Sequence, residues 1–197
     1  IAMNARLEGL SLWDRDVVRY LDSDRIPIFN PIEDFLFGLD VRWDGHDRIR
    51  ELAARVPCNN RHWADLFYRW FLNMVAHWRQ TDRKYANCTV PLLVGPQAYR
   101  KSTFCRSLLP PELQAYYTDR IDFSNKRDAE ISLNRFALIN MDEFDQNRVN
   151  QQAFLKHIFQ KPIVNVRRPH GTATQEMRRY ASFIGTSNHK DLLTDTS

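Results

Sequence analysis

Cysteine is scarce: Cys58, Cys88 and Cys105 are the only three, and no two of them form a C-x-x-C pair. An odd, scattered set argues against a disulfide framework and against a zinc site, and it fits a reducing cytoplasm. No apolar run is long enough for a membrane helix and no signal-peptide pattern appears, so neither a membrane span nor export is expected. Internal repeats and low-complexity stretches are also missing. Neither charge sign dominates, with 28 Lys and Arg against 24 Asp and Glu for a net +4. Any basic surface must therefore come from local clustering, and the balance is compatible with nucleic acid without proving it. The chain opens on Ile1 and stops at Thr194-Asp195-Thr196-Ser197 without closing an element, and it is expected to be a piece of a longer protein.

What is present argues for a folded protein, with 43% hydrophobic and 12% aromatic residues. Residues 1–85 read as a helical region. Its strongest helix runs from His62 to Gln80, where Trp63, Leu66, Phe67, Trp70, Phe71, Met74, Val75 and Trp78 recur at 3/4 spacing. That stripe is expected to be core and not a ligand cage. Shorter helices are expected at 10–22, at 31–37, and through Ile49, Leu52, Ala53 and Val56 up to Pro57.

From residue 86 the texture changes. Strand-length apolar runs at Val90–Val94, Phe136–Met141 and Tyr180–Gly185 alternate with helical segments. This predicts an α/β core, with a mostly parallel sheet covered by helices, over 86–197. A helix is expected over Lys101–Leu109, stopped by Pro110 and Pro111. A short strand is expected within Ala115–Phe123 and a helix over Lys126–Leu133. Asn150 is expected to cap a further helix with Phe154, Leu155, Ile158 and Phe159 inward.

Three motifs end the three apolar runs. After the first comes Gly95-Pro-Gln-Ala-Tyr-Arg100-Lys101-Ser102-Thr103, the layout of the phosphate-binding loop G-x-x-x-x-G-K-[ST] with Arg100 in place of the second glycine. In that layout backbone N–H groups surround phosphates, the lysine reaches the β/γ-phosphates and the hydroxyl holds Mg²⁺. After the second run comes Asp142-Glu143, where one carboxylate suits a Mg²⁺ shell and the next suits activation of water. A solvated strand end is the better explanation of that pair when it stands alone; its place after the Lys-Ser loop favours the site. After the third run, Thr186-Ser187-Asn188 offers Asn188 to position water or sense the γ-phosphate, with Thr186 and Ser187 as weaker candidates; a strand-end turn is the competing explanation. Between the last two motifs, Pro162–Val166 runs into Arg167-Arg168-Pro169-His170-Gly171 and back out through Glu176-Met177-Arg178-Arg179. This reads as a β-hairpin with a basic tip, where Arg167, Arg168 and His170 could follow a phosphate backbone or be plain solvated charge.

In this order the motifs resemble the virulence-associated E family of P-loop ATPases, relatives of superfamily III helicases and the AAA+ class. Asn30-Pro31 through Trp43-Asp44-Gly45 resembles that family's helical lead-in, and the Arg-Arg-Pro-His-Gly hairpin and Gly185-Thr-Ser-Asn188 match its order. The resemblance implies a three-layer P-loop NTPase core, ATP and Mg²⁺ as cofactors, homo-oligomeric rings, and helicase-like work on DNA in the replication of a phage or other mobile element. Two departures qualify it. Arg100 adds a Cβ where glycine lets the backbone approach phosphate. No arginine follows Asn188, where such ATPases supply one, often to a neighbouring subunit, so weak turnover is expected of this chain.

The expected site is Gly95, Arg100, Lys101, Ser102 and Thr103 on nucleotide, Ser102 and Asp142 on Mg²⁺, and Glu143 and Asn188 as catalytic groups. The main alternative is a catalytically silent nucleotide-binding or scaffold module, caused by Arg100. A P-loop kinase is disfavoured by the adjacent carboxylates. A nucleic-acid-binding domain without nucleotide chemistry leaves Lys101-Ser102 and Asp142-Glu143 unexplained.

Overall fold

A computed structural model describes residues 2–23, 25–27, 29–39, 42–81, 84–142, 149–166 and 174–189, with backbone alone at 149–151, 166 and 175. In chain order the elements are α1 (Ala2–Leu7), α2 (Asp14–Leu21), α3 (Pro31–Phe37), α4 (Arg48–Ala54), α5 (Trp63–Trp78), β1 (Leu92–Val94) and α6 (Lys101–Ser107). A 3₁₀ turn (Pro111–Tyr116) leads to β2 (Tyr117–Thr118), α7 (Lys126–Arg135), β3 (Leu138–Met141), α8 (Val149–Gln160), β4 (Ile163–Val166), β5 (Gln175–Arg178) and β6 (Ser182–Ser187).

Capping chemistry sets the helical lead-in. Asn30 accepts the N–H groups of Ile32 and Glu33, and Pro31 occupies the first turn, where a missing N–H is harmless. The Asn30 amide also donates to the Tyr180 hydroxyl at 2.7 Å, tying α3 to the run before β6. The Trp43-Asp44-Gly45 stretch is a turn: Gly45 has φ +85°, and the Asp44 carboxylate accepts the His46 N–H and the Arg48 fork. Those bonds hold the Asp44 carboxyl well below the usual carboxylate range, the Arg48 bond first. Asp47 then caps α4 through the Arg50 N–H.

Most of the aromatic stripe of α5 packs in the core, as its spacing predicts, but Leu66, expected with it, is exposed. Phe67, Trp70, Met74 and Trp78 are buried. Two of its indoles also fasten the helix to the sheet. Trp70 Nε1 donates to the Phe183 carbonyl at 3.1 Å and Trp78 Nε1 to the Ala137 carbonyl at 3.2 Å, so neither ring buries an orphan donor.

Four strands form a parallel sheet in the order β1-β6-β3-β2, with Leu92 opposite Gly185 and Leu138 opposite Ser182. Side chains alternate between its faces. Leu138 and Ile184 enter a core shared with α3, α4, α5 and α6, whereas Ile139, Met141 and Phe183 enter a second core shared with α7, α8, β4 and β5. Helices therefore cover both faces of the sheet. At Gly185 a Cβ would stand 2.7 Å from Leu92 Cδ1, so the β1–β6 pairing uses the missing side chain.

Several expected boundaries move. The strand expected over Tyr180–Gly185 lies at Ser182–Ser187, because the Tyr180 and Ala181 N–H groups bond the Leu133 carbonyl at the end of α7 and Gly95 N–H bonds the Ser187 carbonyl. Thr186 and Ser187 are thus buried strand residues and not a turn. The helix α6 stops at Ser107, and Leu108 and Leu109 continue in tighter i→i−3 bonds, as a residue before proline is pushed out of the α region. Asn150 does not cap α8. Val149 is already helical, so Asn150 lies inside the first turn. The antiparallel β4–β5 pair is the expected hairpin, and its tip at 167–173 lies outside the described residues. Among the described residues no helix is long and apolar enough to cross a membrane.

Candidate functional site

In a parallel sheet all C-terminal strand ends open on one edge, where ligands of open α/β sheets bind. Here β1 runs into Gly95, β3 into Asp142 and β6 into Asn188, and β6 lies between the other two. The three motifs consequently meet around one cavity of about 260 Å³, lined by residues 97–103, Asp142 and Thr186–Asn188.

The side chains in it bond to one another across the motifs. Lys101 Nζ donates to the Gly95 carbonyl at 2.7 Å, the Pro96 carbonyl at 2.8 Å and Asn188 Oδ1 at 3.0 Å. An ammonium has three donors, and all three are engaged by oxygen at this edge. Ser102 Oγ donates to Asp142 Oδ1 at 2.9 Å, and the Thr186 hydroxyl donates to the same carboxylate oxygen. Asp142, Asn188 and Thr103 are exposed, Lys101 and Ser102 half-buried and Thr186 buried. Below them Cys105 is fully buried, and burial, followed by the Asp142 charge, pushes its thiol up to about 12.

The loop backbone explains why its motif calls for glycine before the lysine. Arg100 has φ +56° and caps α6 in the left-handed region, with no side-chain cap bond of its own. Ala98 is left-handed too, at φ +69°. Arg100→Gly should therefore stabilise the fold by about 1 kcal/mol, because a left-handed non-glycine residue costs roughly 1–2 kcal/mol and glycine returns part of that as entropy. Chemical denaturation reads this out. A fall in stability would show that interactions of the arginine side chain outweigh its backbone cost.

Of the expected site residues, the structure brings together Lys101, Ser102, Asp142 and Asn188 by direct bonds. Gly95 offers its carbonyl to Lys101, and Arg100 and Thr103 line the same cavity. Glu143, Arg167, Arg168 and His170 lie outside the described residues. Thr186 plays a larger part than its sequence suggests, since its bond to Asp142 orients that carboxylate. Its place at the end of the third apolar run, beside Asn188, was the available signal. Arg178 and Arg179, read as hairpin charge, separate: Arg178 pairs with Glu33 at 3.1 Å, whereas Arg179 is buried at 1% exposure.

Chemically, one ammonium, two hydroxyls, one carboxylate and one carboxamide suit a polyanion that brings a hard cation with it. No cluster of three or more His, Cys, Asp or Glu exists among the described residues. Ser102 and Asp142 alone are too few for a dedicated cation cage, but they match a Mg²⁺ that keeps waters and takes its other ligands from phosphate oxygens.

Fold and site define a mixed α/β protein with a central parallel sheet, a helical N-terminal part and a polar cavity at the strands' C-terminal edge. The chain belongs to the virulence-associated protein E-like family, whose domain model matches residues 38–197. Among solved structures it is similar to the A-form apo structure of the NrS-1 C-terminal region, residues 305–718, at 15% identity and a TM-score of 0.47. That similarity covers 78% of this chain and 35% of the other, so this chain spans about a third of that structure's length. No curated protein matches the sequence.

Proposed function

We propose that the chain binds the phosphates of Mg²⁺-ATP at the Lys101–Asp142–Asn188 edge and hydrolyses ATP weakly, as the nucleotide-binding part of a helicase-like protein acting on DNA in the replication of a phage or other mobile element. The observation that carries this reading is the direct bonding of Lys101 to Asn188 and of Ser102 to Asp142, which joins three distant motifs at one sheet edge. The carbonyl and carboxamide oxygens now around the Lys101 ammonium stand where anionic oxygens would bind more strongly, since an anion adds direct charge–charge attraction to each bond.

On this reading Lys101 holds the β/γ-phosphates, Ser102 and Asp142 hold Mg²⁺, and Thr186 keeps Asp142 aimed. Bound Mg²⁺ supplies charge neutralisation on the phosphate oxygens. Asn188 orients the attacking water or the γ-phosphate, and Glu143 accepts the water's proton. Gly95, Arg100 and Thr103 shape the loop. The DNA and oligomer parts rest on family membership, and the Arg167-Arg168-His170 tip is the proposed DNA-binding element.

Asp142→Asn should make binding of a non-hydrolysable ATP analogue insensitive to Mg²⁺. In saturating Mg²⁺ the affinity should fall roughly ten- to a hundredfold, the range for losing a charged partner. Calorimetric titration with and without Mg²⁺ measures this. A variant with wild-type Mg²⁺ dependence would remove Asp142 from the metal role.

Arg167→Ala combined with Arg168→Ala should weaken DNA binding and lower the slope of log K against log[salt] by about 1.4–1.8, at 0.7–0.9 for each phosphate no longer neutralised. An unchanged slope would return the hairpin tip to solvated surface.

The left-handed Arg100 favours one second reading, a site that binds nucleotide without turning it over. Phosphate release measured beside binding separates the two.

A further inference from the structure

A cavity of about 140 Å³ lies at the base of the β4–β5 hairpin and shares no lining residue with the cavity at the nucleotide edge. Its walls are His77 and Gln80 at the end of α5, Pro162 and Ile163 where α8 passes into β4, and residues 176–179 of β5 and just after it. A single water needs only about 10–15 Å³ on this scale, so the space admits a polyatomic ion. Hydrogen bonds fix the walls. Gln80 Nε2 donates to the Arg179 carbonyl at 3.0 Å, and His77 Nε2 accepts the Asn87 N–H at 2.8 Å, so that ring is neutral. Three charged side chains line the cavity. Arg178 is offset by Glu33 at 3.1 Å, and Glu176 is exposed. Arg179 is fully buried; its Nε and Nη1 are engaged by carbonyls, and its Nη2 is buried with no hydrogen-bond partner among the described residues.

Buried charges are ordinarily paired. The carbonyls at the end of α8 offset roughly half an elementary charge. A water on Nη2 would satisfy the hydrogen bond and leave the rest of the charge as it is, whereas an anion does both. We propose that this cavity binds a small free oxyanion of the phosphate type, which accepts from Arg179 Nη2. Glu176 at the rim repels such an ion and keeps its affinity modest. The walls come from three elements, so a bound ion ties the base of the hairpin to the end of α5 and acts as a stabilising effector. This site stands whether or not the nucleotide edge works as proposed.

Inorganic phosphate is the test ion, titrated against sodium chloride at constant ionic strength and neutral pH. It is added to the unaltered chain and to Lys101→Ala, which disables the other cavity for anions. The Arg179 Nε–H signal in ¹H–¹⁵N NMR spectra, assigned by its loss in Arg179→Lys, reports on the site. The expected result is a saturable shift of that signal in both chains, with none from chloride. Phosphate at about 100 times Kd should raise the melting temperature of Lys101→Ala by roughly 5–10 °C. Glu176→Gln, a change at an exposed position, should tighten phosphate binding roughly twofold or more as a like charge leaves the rim. Ile163→Trp fills the cavity, removes none of the hydrogen-bond partners of Arg179, and should abolish the shift in a chain that still melts cooperatively.

A signal that stays in place, or moves equally with chloride, would overturn the site and leave water on Nη2. A shift seen only where Lys101 is present would assign the ion to the nucleotide edge, and a shift that survives Ile163→Trp would assign it elsewhere; either result overturns the proposal. Unchanged or weaker binding in Glu176→Gln would overturn it as well, because the carboxylate would then not be opposing the ligand.

Discussion

Lys101→Ala should abolish measurable nucleotide binding, with affinity for a Mg²⁺-ATP analogue falling by about a hundredfold or more. Each hydrogen bond to a charged group contributes roughly 1.5–3 kcal/mol, and an ammonium facing phosphates makes more than one. The fold itself should survive. Lys101 is half-buried at the mouth of a polar cavity, and the core beneath it, from Leu93 to Cys105, does not use its side chain. Calorimetry beside a thermal melt separates loss of binding from loss of fold. Unchanged ATP affinity in a folded variant would sink the site assignment, whatever the motif spelling.

Arg179→Met should be strongly destabilising, at about 3–5 kcal/mol, because it breaks four hydrogen bonds and each buried acceptor left unsatisfied costs roughly 1–3 kcal/mol. The guanidinium donates Nε to the Ala181 carbonyl at 2.7 Å and Nη1 to the carbonyls of Ile158, Phe159 and Lys161 at 3.1, 2.9 and 2.8 Å. Those last three sit at the end of α8, where carbonyls carry the negative end of the dipole and few have helical partners, Ile158 also accepting the Lys161 N–H. Among the described residues no carboxylate pairs with the charge; it is held by oriented carbonyls, with the Phe183 ring 5.4 Å away and Nη2 buried without a hydrogen-bond partner. Burial lowers its pKa to about 10, so it stays charged at neutral pH. Removing it orphans several buried acceptors together. For a chain of this length the melting temperature should drop by roughly 10 °C. Arg179→Lys should lie between, because an ammonium keeps the charge but not the planar fork. A loss below about 1 kcal/mol in the methionine variant would mean that relief from burying the charge offsets the broken bonds.

Lys101 and Arg179 differ in how far their roles are legible in the sequence. The chemistry of Lys101 is written locally, in a short apolar run, a loop and Lys-Ser. That of Arg179 is not. It stands beside Arg178 in an apparently basic hairpin, and nothing in that stretch tells which of the two is buried. Alternation along β5 and the run after it turns neighbours to opposite sides, and the carbonyls that receive Arg179 come from a helix end 18–21 residues earlier.

By itself, the sequence determined what is local. Apolar spacing placed the long helix of the aromatic stripe; short apolar runs bounded by polar residues placed strands of the sheet. Motif order also pointed to the family that the match over 38–197 establishes. Only the tertiary structure decided which strand ends meet. With β6 hydrogen-bonded between β1 and β3, Lys101 and Asn188, 87 residues apart, bond directly, and Ser102 finds Asp142 across 40 residues. Strand order is set by pairing between distant segments and by burial of both sheet faces, and no local stretch of sequence carries that information.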